Sequence, residues 1–156
     1  MRNIISGDEM QRPPFFSRTY YIAPVKIPCN MKRETYLDQH QHHKTWLNYL
    51  AFYKDEMQVF QKRLEEVAVK NTDGEILALV EHFQNQLILQ REQHDILRHD
   101  IKQDENRIEK LYETDPVFAE NSRPKAELEL VDRMETFGRL FHEMKDELYR
   151  FVAKNL

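Results

Sequence analysis

Three long rows of apolar residues, each repeating at alternating steps of four and three, constrain the fold more than any other feature of this chain. The first row is unbroken over seven positions: Trp46, Leu50, Tyr53, Met57, Phe60, Leu64 and Val67. This is the spacing of core positions in helices that pack as in a coiled coil. It predicts a helix over about 31–70, whose row extends backwards through His43, Gln39 and Tyr36.

Two further rows predict two further helices, over about 74–113 and 124–155. The second row has eight apolar residues in eleven positions, interrupted by Gln90, His94 and Asp104: Ile76, Val80, Phe83, Leu87, Leu97, Ile101, Ile108 and Leu111. The third row is apolar throughout: Leu130, Met134, Phe137, Phe141, Met144, Leu148 and Phe151. Each row requires a partner helix to cover it.

The connections between the rows favour an all-α antiparallel bundle of three long helices. Thr72, followed three residues later by Glu75, matches a capping box for the second helix. Asp115 and Pro116 are typical of the start of a short helical turn. Short connections make consecutive helices antiparallel neighbours, so an up-down-up arrangement is predicted.

Residues 1–29 differ from residues 30–156, and we predict an extended N-terminal arm followed by the helical bundle domain. Prolines remove amide donors and bias the preceding residue towards extended geometry. The arm also carries Phe15, Phe16, Tyr20 and Tyr21. These aromatic residues either cap the bundle of their own chain or anchor a partner protein or second subunit, because aromatic side chains concentrate binding energy at interfaces.

Charge and composition exclude several classes of function. The net charge is −4 with acids and bases interspersed, so a nucleic-acid interface is not expected. Neither an apolar leader nor an 18-residue apolar run is present, which predicts a cytoplasmic protein without a membrane span. Cys29 is the single cysteine, so no internal disulfide or multi-cysteine metal site is expected.

The segment LDQHQHHKTWL, residues 37–47, places His40, His42 and His43 on one predicted helix. No histidine in the chain completes the Glu-x-x-His pattern of di-iron bundles, the His-x-x-x-Glu and His-x-x-x-His patterns of hemerythrin-like bundles, or the His-Glu-x-x-His pattern of zinc proteases. Glycine-rich phosphate loops and nucleophile elbows are also missing. The sequence therefore gives no motif for catalysis.

A site could still assemble between helices. Folding the predicted helices back on each other places Leu50 near His94, Asp104 about one turn beyond the level of His43, and His142 near Leu97 and Trp46. The favoured interpretation is that the histidines form hydrogen-bonded polar layers that fix the register. The alternative is an iron or zinc site made of His43, His94, His142 and Asp104.

The remaining histidines, the carboxylate pairs and the apolar rows are interpreted as structural features rather than as parts of a site. A core histidine that titrates near neutral pH suggests that acid loosens the bundle. His82 and His99 lie off the rows and are expected to be solvated, as are the carboxylate pairs Glu65–Glu66 and Asp104–Glu105. The Met- and Phe-rich rows are interpreted as core, although a ligand pocket within them is conceivable.

The resulting prediction is a non-catalytic helical assembly or protein-interaction module without a cofactor. We expect self-association, with a dimer as the simplest closed form. The rival hypothesis is a histidine-based metal-binding bundle with a redox, storage or sensing role.

Overall fold

A computed structural model of the chain describes residues 36–121 and 125–156. Over this part the chain forms four helices and no strand: α1 (Tyr36–Lys70), α2 (Gly74–Thr114), the short α3 (Pro116–Asn121) and α4 (Lys125–Asn155). The predicted all-α bundle of three long helices is confirmed. The predicted arm and the first residues of the first predicted helix lie outside the described residues.

The three apolar rows form the core of the bundle. Every residue of the first and third rows is buried, and Trp46, Leu50, Phe141 and Leu148 are at most 1% exposed. The second row is buried at most of its positions, including the polar His94 and Asp104. The spacing of four and three therefore identifies the inward face of each long helix.

Cross-helix contacts fix the direction of each helix. The rings of Tyr36 and Tyr112 stack with centroids 4.3 Å apart, so the start of α1 meets the end of α2. Phe83 packs on Phe151 near the other end, with centroids 5.1 Å apart. Helices α1 and α4 thus run parallel to each other and antiparallel to α2, which confirms the up-down-up arrangement.

The connection between α1 and α2 consists of residues 71–73, and its cap differs from the prediction. Asp73, rather than Thr72, is the N-cap residue of α2, and its Oδ1 accepts a hydrogen bond of 2.8 Å from the backbone N–H of Glu75. The Thr72–Glu75 capping box is therefore wrong by one residue, because an Asp directly before the helix supplies a better-placed acceptor. Asn71 joins the ends of α1 and α4, since its Nδ2 donates to the carbonyls of Val67 and Asn155.

The predicted short turn after Asp115 is helix α3. Asp115 Oδ1 accepts a hydrogen bond from the backbone N–H of Phe118 at 3.0 Å, and Ala119 is buried. Among the described residues, no helix combines the length and the apolar character that crossing a membrane would require.

Candidate functional site

The densest group of polar side chains lies between the start of α1 and the end of α2. His43 is completely buried there, and its Nδ1 donates to Glu105 Oε2 at 2.6 Å. Its Nε2 faces Asp104 Oδ2 at 3.4 Å, which is long for a hydrogen bond and acts mainly as an electrostatic contact. His40, one turn earlier, donates to the other oxygen of Glu105.

Arg107 completes this group from the α2 side. Its Nε and Nη2 both donate to Asp104 Oδ1, at 2.8 and 2.6 Å. Asp104 is only 6% exposed, so its two oxygens serve Arg107 on one side and His43 on the other. We refer to His40, His43, Asp104, Glu105 and Arg107 as the histidine–carboxylate cluster.

The surroundings shift the pKa values of two members of this cluster. Burial alone lowers the pKa of His43, but the contacts with the carboxylates of Asp104 and Glu105 outweigh it and raise that pKa above 6.5. Burial raises the pKa of Asp104, but the contacts with His43 and Arg107 outweigh it and lower that pKa below 3.8. Both shifts favour the charged forms in contact.

A second carboxylate approaches the same level of the bundle from α4. Glu127 is 0% exposed, and its Oε1 lies 3.8 Å from Nδ1 of His42. The ring of His42 also stacks on Trp46, with centroids 6.1 Å apart. The three histidines of the 37–47 segment are thus divided between the α2 side and the α4 side of α1.

His94 lies about two turns further along the bundle. It is 2% exposed, and its Nε2 donates to the backbone carbonyl of Leu50 at 2.9 Å. Its Nδ1 lies 2.9 Å from Oδ1 of Asp95. The predicted neighbourhood of Leu50 and His94 is confirmed.

His142 lies elsewhere, on the side of α4 that packs on α1. Its Nδ1 donates to the Gly138 carbonyl at 2.6 Å, and its ring meets Tyr53 edge-on with centroids 5.9 Å apart. The prediction that His142 lies near Trp46 is wrong by two turns of α1, because aromatic packing around Tyr53 sets the register between α1 and α4.

The metal hypothesis involved four residues, and only His43 and Asp104 are shown in contact. Both ring nitrogens of His94 lie within hydrogen-bond distance of protein oxygens, and Nδ1 of His142 donates to a backbone carbonyl of its own helix. Within residues 36–121 and 125–156, no three His, Cys, Asp or Glu side chains are arranged to hold a metal ion.

Two expectations about charged residues have different outcomes. His82, His99, Glu65 and Glu66 are exposed, as predicted. The prediction that the Asp104–Glu105 pair is solvated is wrong, because both carboxylates are turned towards His43. Asp104 lies level with His43 rather than one turn beyond it.

Sequence reasoning missed the contact between His40 and Glu105 and a buried ion pair between Lys145 and Glu56. Nζ of Lys145, which is 3% exposed as a residue, donates to Oε1 of Glu56. All four residues flank the core rows, at the positions where coiled coils place their interhelical ion pairs. Reading the flanking positions together with the core rows would have found them.

A groove of about 220 Å³ lies between α2 and α4, on the side away from α1. Its apolar lining residues are Leu97, Phe137 and Leu140. One end is bordered by an ion pair in which Nη1 of Arg133 donates to Oδ2 of Asp100 at 2.7 Å. The polar lining residues are Gln90, Gln93, Asp132, Arg133 and Thr136.

Two exposed apolar side chains of α2 lie on the helical face that adjoins this groove. Leu89 is 61% exposed and Ile96 is 47% exposed, and their spacing places both on the same helical face as Gln93, which lines the groove. Leu140, which is 42% exposed, lines the groove from α4. We call Leu89, Gln93, Ile96 and Leu140 together the α2/α4 patch.

Phe15, Phe16, Tyr20 and Tyr21, the predicted partner-binding residues, lie outside the described residues. Comparison with protein-family models, curated proteins and solved structures gives no match for this chain. Its function is therefore argued from its own residues.

Proposed function

We propose that this chain is a non-catalytic helical assembly module that pairs with a second copy of itself through the α2/α4 patch. The observation that supports this proposal is the combination of a groove over Leu97 and Phe137 with large apolar side chains exposed at its edge and on the adjoining face of α2. The three rows already form the core of the bundle, so packing within one chain does not require these exposed apolar side chains. Exposed apolar side chains that lie together typically mark an interaction surface.

The composition of α2 supports the same proposal. Residues 83–90, FQNQLILQ, carry no formal charge, although a third of the chain is charged. Ile88 and Leu89, within this stretch, are both at least half exposed. An uncharged stretch with exposed apolar side chains in the first half of α2 suits an interface core, where charged residues are depleted.

A two-fold arrangement follows from the spacing of the patch. If two copies of α2 cross antiparallel near Gln93, Leu89 of each copy faces Ile96 of the other. Such self-complementary contacts are the property of a two-fold interface. In this arrangement the Leu140 side chains close the border from α4.

The energetics favour a reversible dimer. Burying one Leu or Ile side chain contributes about 1.5–3 kcal/mol, so completing the burial of six half-exposed ones contributes on the order of 5–9 kcal/mol. Association costs about 4–15 kcal/mol in lost rigid-body freedom. Even the most favourable difference between them, about 5 kcal/mol, corresponds to a dissociation constant of roughly 0.1–1 mM, so we expect a weak dimer that forms at high protein concentration.

Sedimentation velocity of charged variants tests the proposal. The chain has a mass of 19.0 kDa, and we expect the wild type to sediment as a dimer at high concentration. Leu89→Glu and Ile96→Glu should each weaken pairing at least tenfold, because the substitution occurs twice in every dimer.

Val59→Glu is the matched control, since Val59 is 52% exposed on α1 and lies outside the patch. It should pair like the wild type. A wild type that stays monomeric at all concentrations, or equal weakening by Val59→Glu, would contradict the proposal.

The aromatic arm as a second contact and the cytoplasmic location stay predictions from the sequence.

A further inference from the structure

The histidine–carboxylate cluster has a geometry that a neutral histidine cannot satisfy. Nδ1 of His43 lies 2.6 Å from Glu105 Oε2, and Nε2 lies 3.4 Å from Asp104 Oδ2. A neutral imidazole carries a proton on only one nitrogen and offers a lone pair at the other. Either neutral tautomer therefore turns a lone pair towards a carboxylate, whereas the imidazolium has an N–H for each.

Because His43 is buried, the difference between its neutral and charged forms matters for stability. His43 is 0% exposed, and Asp104 and Glu105 are 6% and 21% exposed as side chains. Water has little access to screen a lone pair from a carboxylate at this site, and electrostatic interactions are stronger in such surroundings than in bulk water. Protonation of His43 therefore decides whether this junction between α1 and α2 is attractive.

We propose that His43, Asp104 and Glu105 form a proton-dependent clasp, which holds the N-terminal half of α1 on the C-terminal half of α2 when His43 is an imidazolium and loosens when it is neutral. This inference is independent of self-association, because the clasp and the α2/α4 patch share no residue. It reverses the expectation that acid loosens the bundle through a core histidine.

The other charged groups around His43 support this assignment. On α1 the neighbours are His40, which donates to the same Glu105, and His42, which faces Glu127 of α4. On α2, Arg107 holds the far oxygen of Asp104. Arg107 is therefore already paired with Asp104, while the carboxylates of Asp104 and Glu105 face the ring of His43.

The pKa directions give the pH window of the clasp. The pKa of His43 is raised above 6.5, so its contribution is fully present below pH 6.5 and is lost as pH rises through the folded-state pKa. The pKa of Asp104 is lowered below 3.8, so its contribution is present above pH 3.8 and is lost as pH falls through its folded-state pKa. The clasp is closed between these limits and loosens on the alkaline side.

Ring titration of the histidines by NMR on the wild-type chain tests the clasp directly. We expect His43 to titrate with a midpoint above 6.5. Asp104→Asn should lower the midpoint of His43 by about one pH unit, a tenfold loss of proton affinity. A wild-type midpoint at or below 6.5 would overturn the proposal, even if a variant failed to fold.

Hydrogen exchange locates the loosening. After correction for intrinsic rates, amides of residues 40–50 should lose protection between pH 6 and pH 9, relative to those of residues 57–67 in the same helix. His43→Asn should remove this difference, and His99→Asn should retain it. Uniform loss along α1, or an unchanged difference in His43→Asn, would show that no clasp acts at this end.

Discussion

His43 and His94 are both buried, but their different neighbours make them contribute differently to the free energy of unfolding. His43 compensates two carboxylates that have limited access to water. His94 donates to a backbone carbonyl and lies beside Asp95, whose side chain is 76% exposed and keeps its solvent. A buried polar group left without its partner is costly, whereas an apolar replacement of a satisfied group is often nearly neutral.

We therefore expect His43→Leu to destabilise the bundle by about 2–4 kcal/mol at pH 6, because Asp104 and Glu105 lose the buried cation between them and keep only Arg107 and His40. We expect His94→Leu to change the free energy of unfolding by less than about 1 kcal/mol, since Asp95 turns to water. Urea unfolding at pH 6 measures both values. Equal costs for the two variants would show that burial alone, and not the carboxylates, sets the role of each histidine.

At this scale the sequence predicted which histidines are buried but not what they contact. His43 and His94 fall on the apolar rows, and His82 and His99 do not, so burial follows from spacing. The pairing of His43 with Asp104 and Glu105 depends on how α1 and α2 pack at this end of the bundle, since Leu50 and His94 meet at the predicted level. Periodicity along one helix carries no information on that packing.

At the scale of the elements, α2 shows how a local side chain determines where a helix begins. The backbone N–H groups of its first turn have no carbonyl acceptor within the helix, and Asp73 supplies an oxygen to that of Glu75. Gly74 is the first residue of α2 and has no positive φ. The interruption between α1 and α2 therefore comes from the capped connection and not from an unusual glycine conformation.

Asp73→Ala should destabilise the bundle by about 1 kcal/mol, the typical cost of losing an N-cap side chain. Thr72→Ala is the matched control, because Thr72 is the neighbouring exposed residue and is not the cap. We expect it to stay within about 0.5 kcal/mol of the wild type. Thermal or urea unfolding measures both, and a larger cost for Thr72→Ala would restore the capping box predicted from the sequence.

The end of α1 and both ends of α2 and α4 agree with the prediction to within one residue, because the apolar rows and the connections between them are both visible in the sequence. The start of the first predicted helix lies outside the described residues. The register between α1 and α4 was not predictable. It depends on how Phe137, Phe141 and His142 fit around Tyr53. Shape complementarity of this kind belongs to the packed helices and is not visible in the spacing along either one.

At the scale of the whole molecule, the described bundle is closed on itself through its three rows, with a groove of mixed polar and apolar lining between α2 and α4. Leu140 lines this groove, and Leu89 and Ile96 are exposed on the adjoining face of α2. Single-sequence reasoning predicted self-association in general and left open whether the aromatic arm caps its own bundle or provides the contact. The α2/α4 patch was missed because its residues lie outside the rows and their proximity across two helices requires the fold.

Disulfide trapping at the proposed two-fold axis is the most direct test of assembly through this patch. In a Cys29→Ser background, Gln93→Cys should form a covalent dimer of about twice the 19.0 kDa chain mass under mild oxidation, because each Gln93 lies near its own copy. Gln58→Cys, at an exposed position on α1, is the control and should crosslink only slowly. Equal rates at positions 58 and 93 would contradict pairing through the α2/α4 patch, whereas rapid trapping at position 93 alone would establish both the face and its two-fold symmetry.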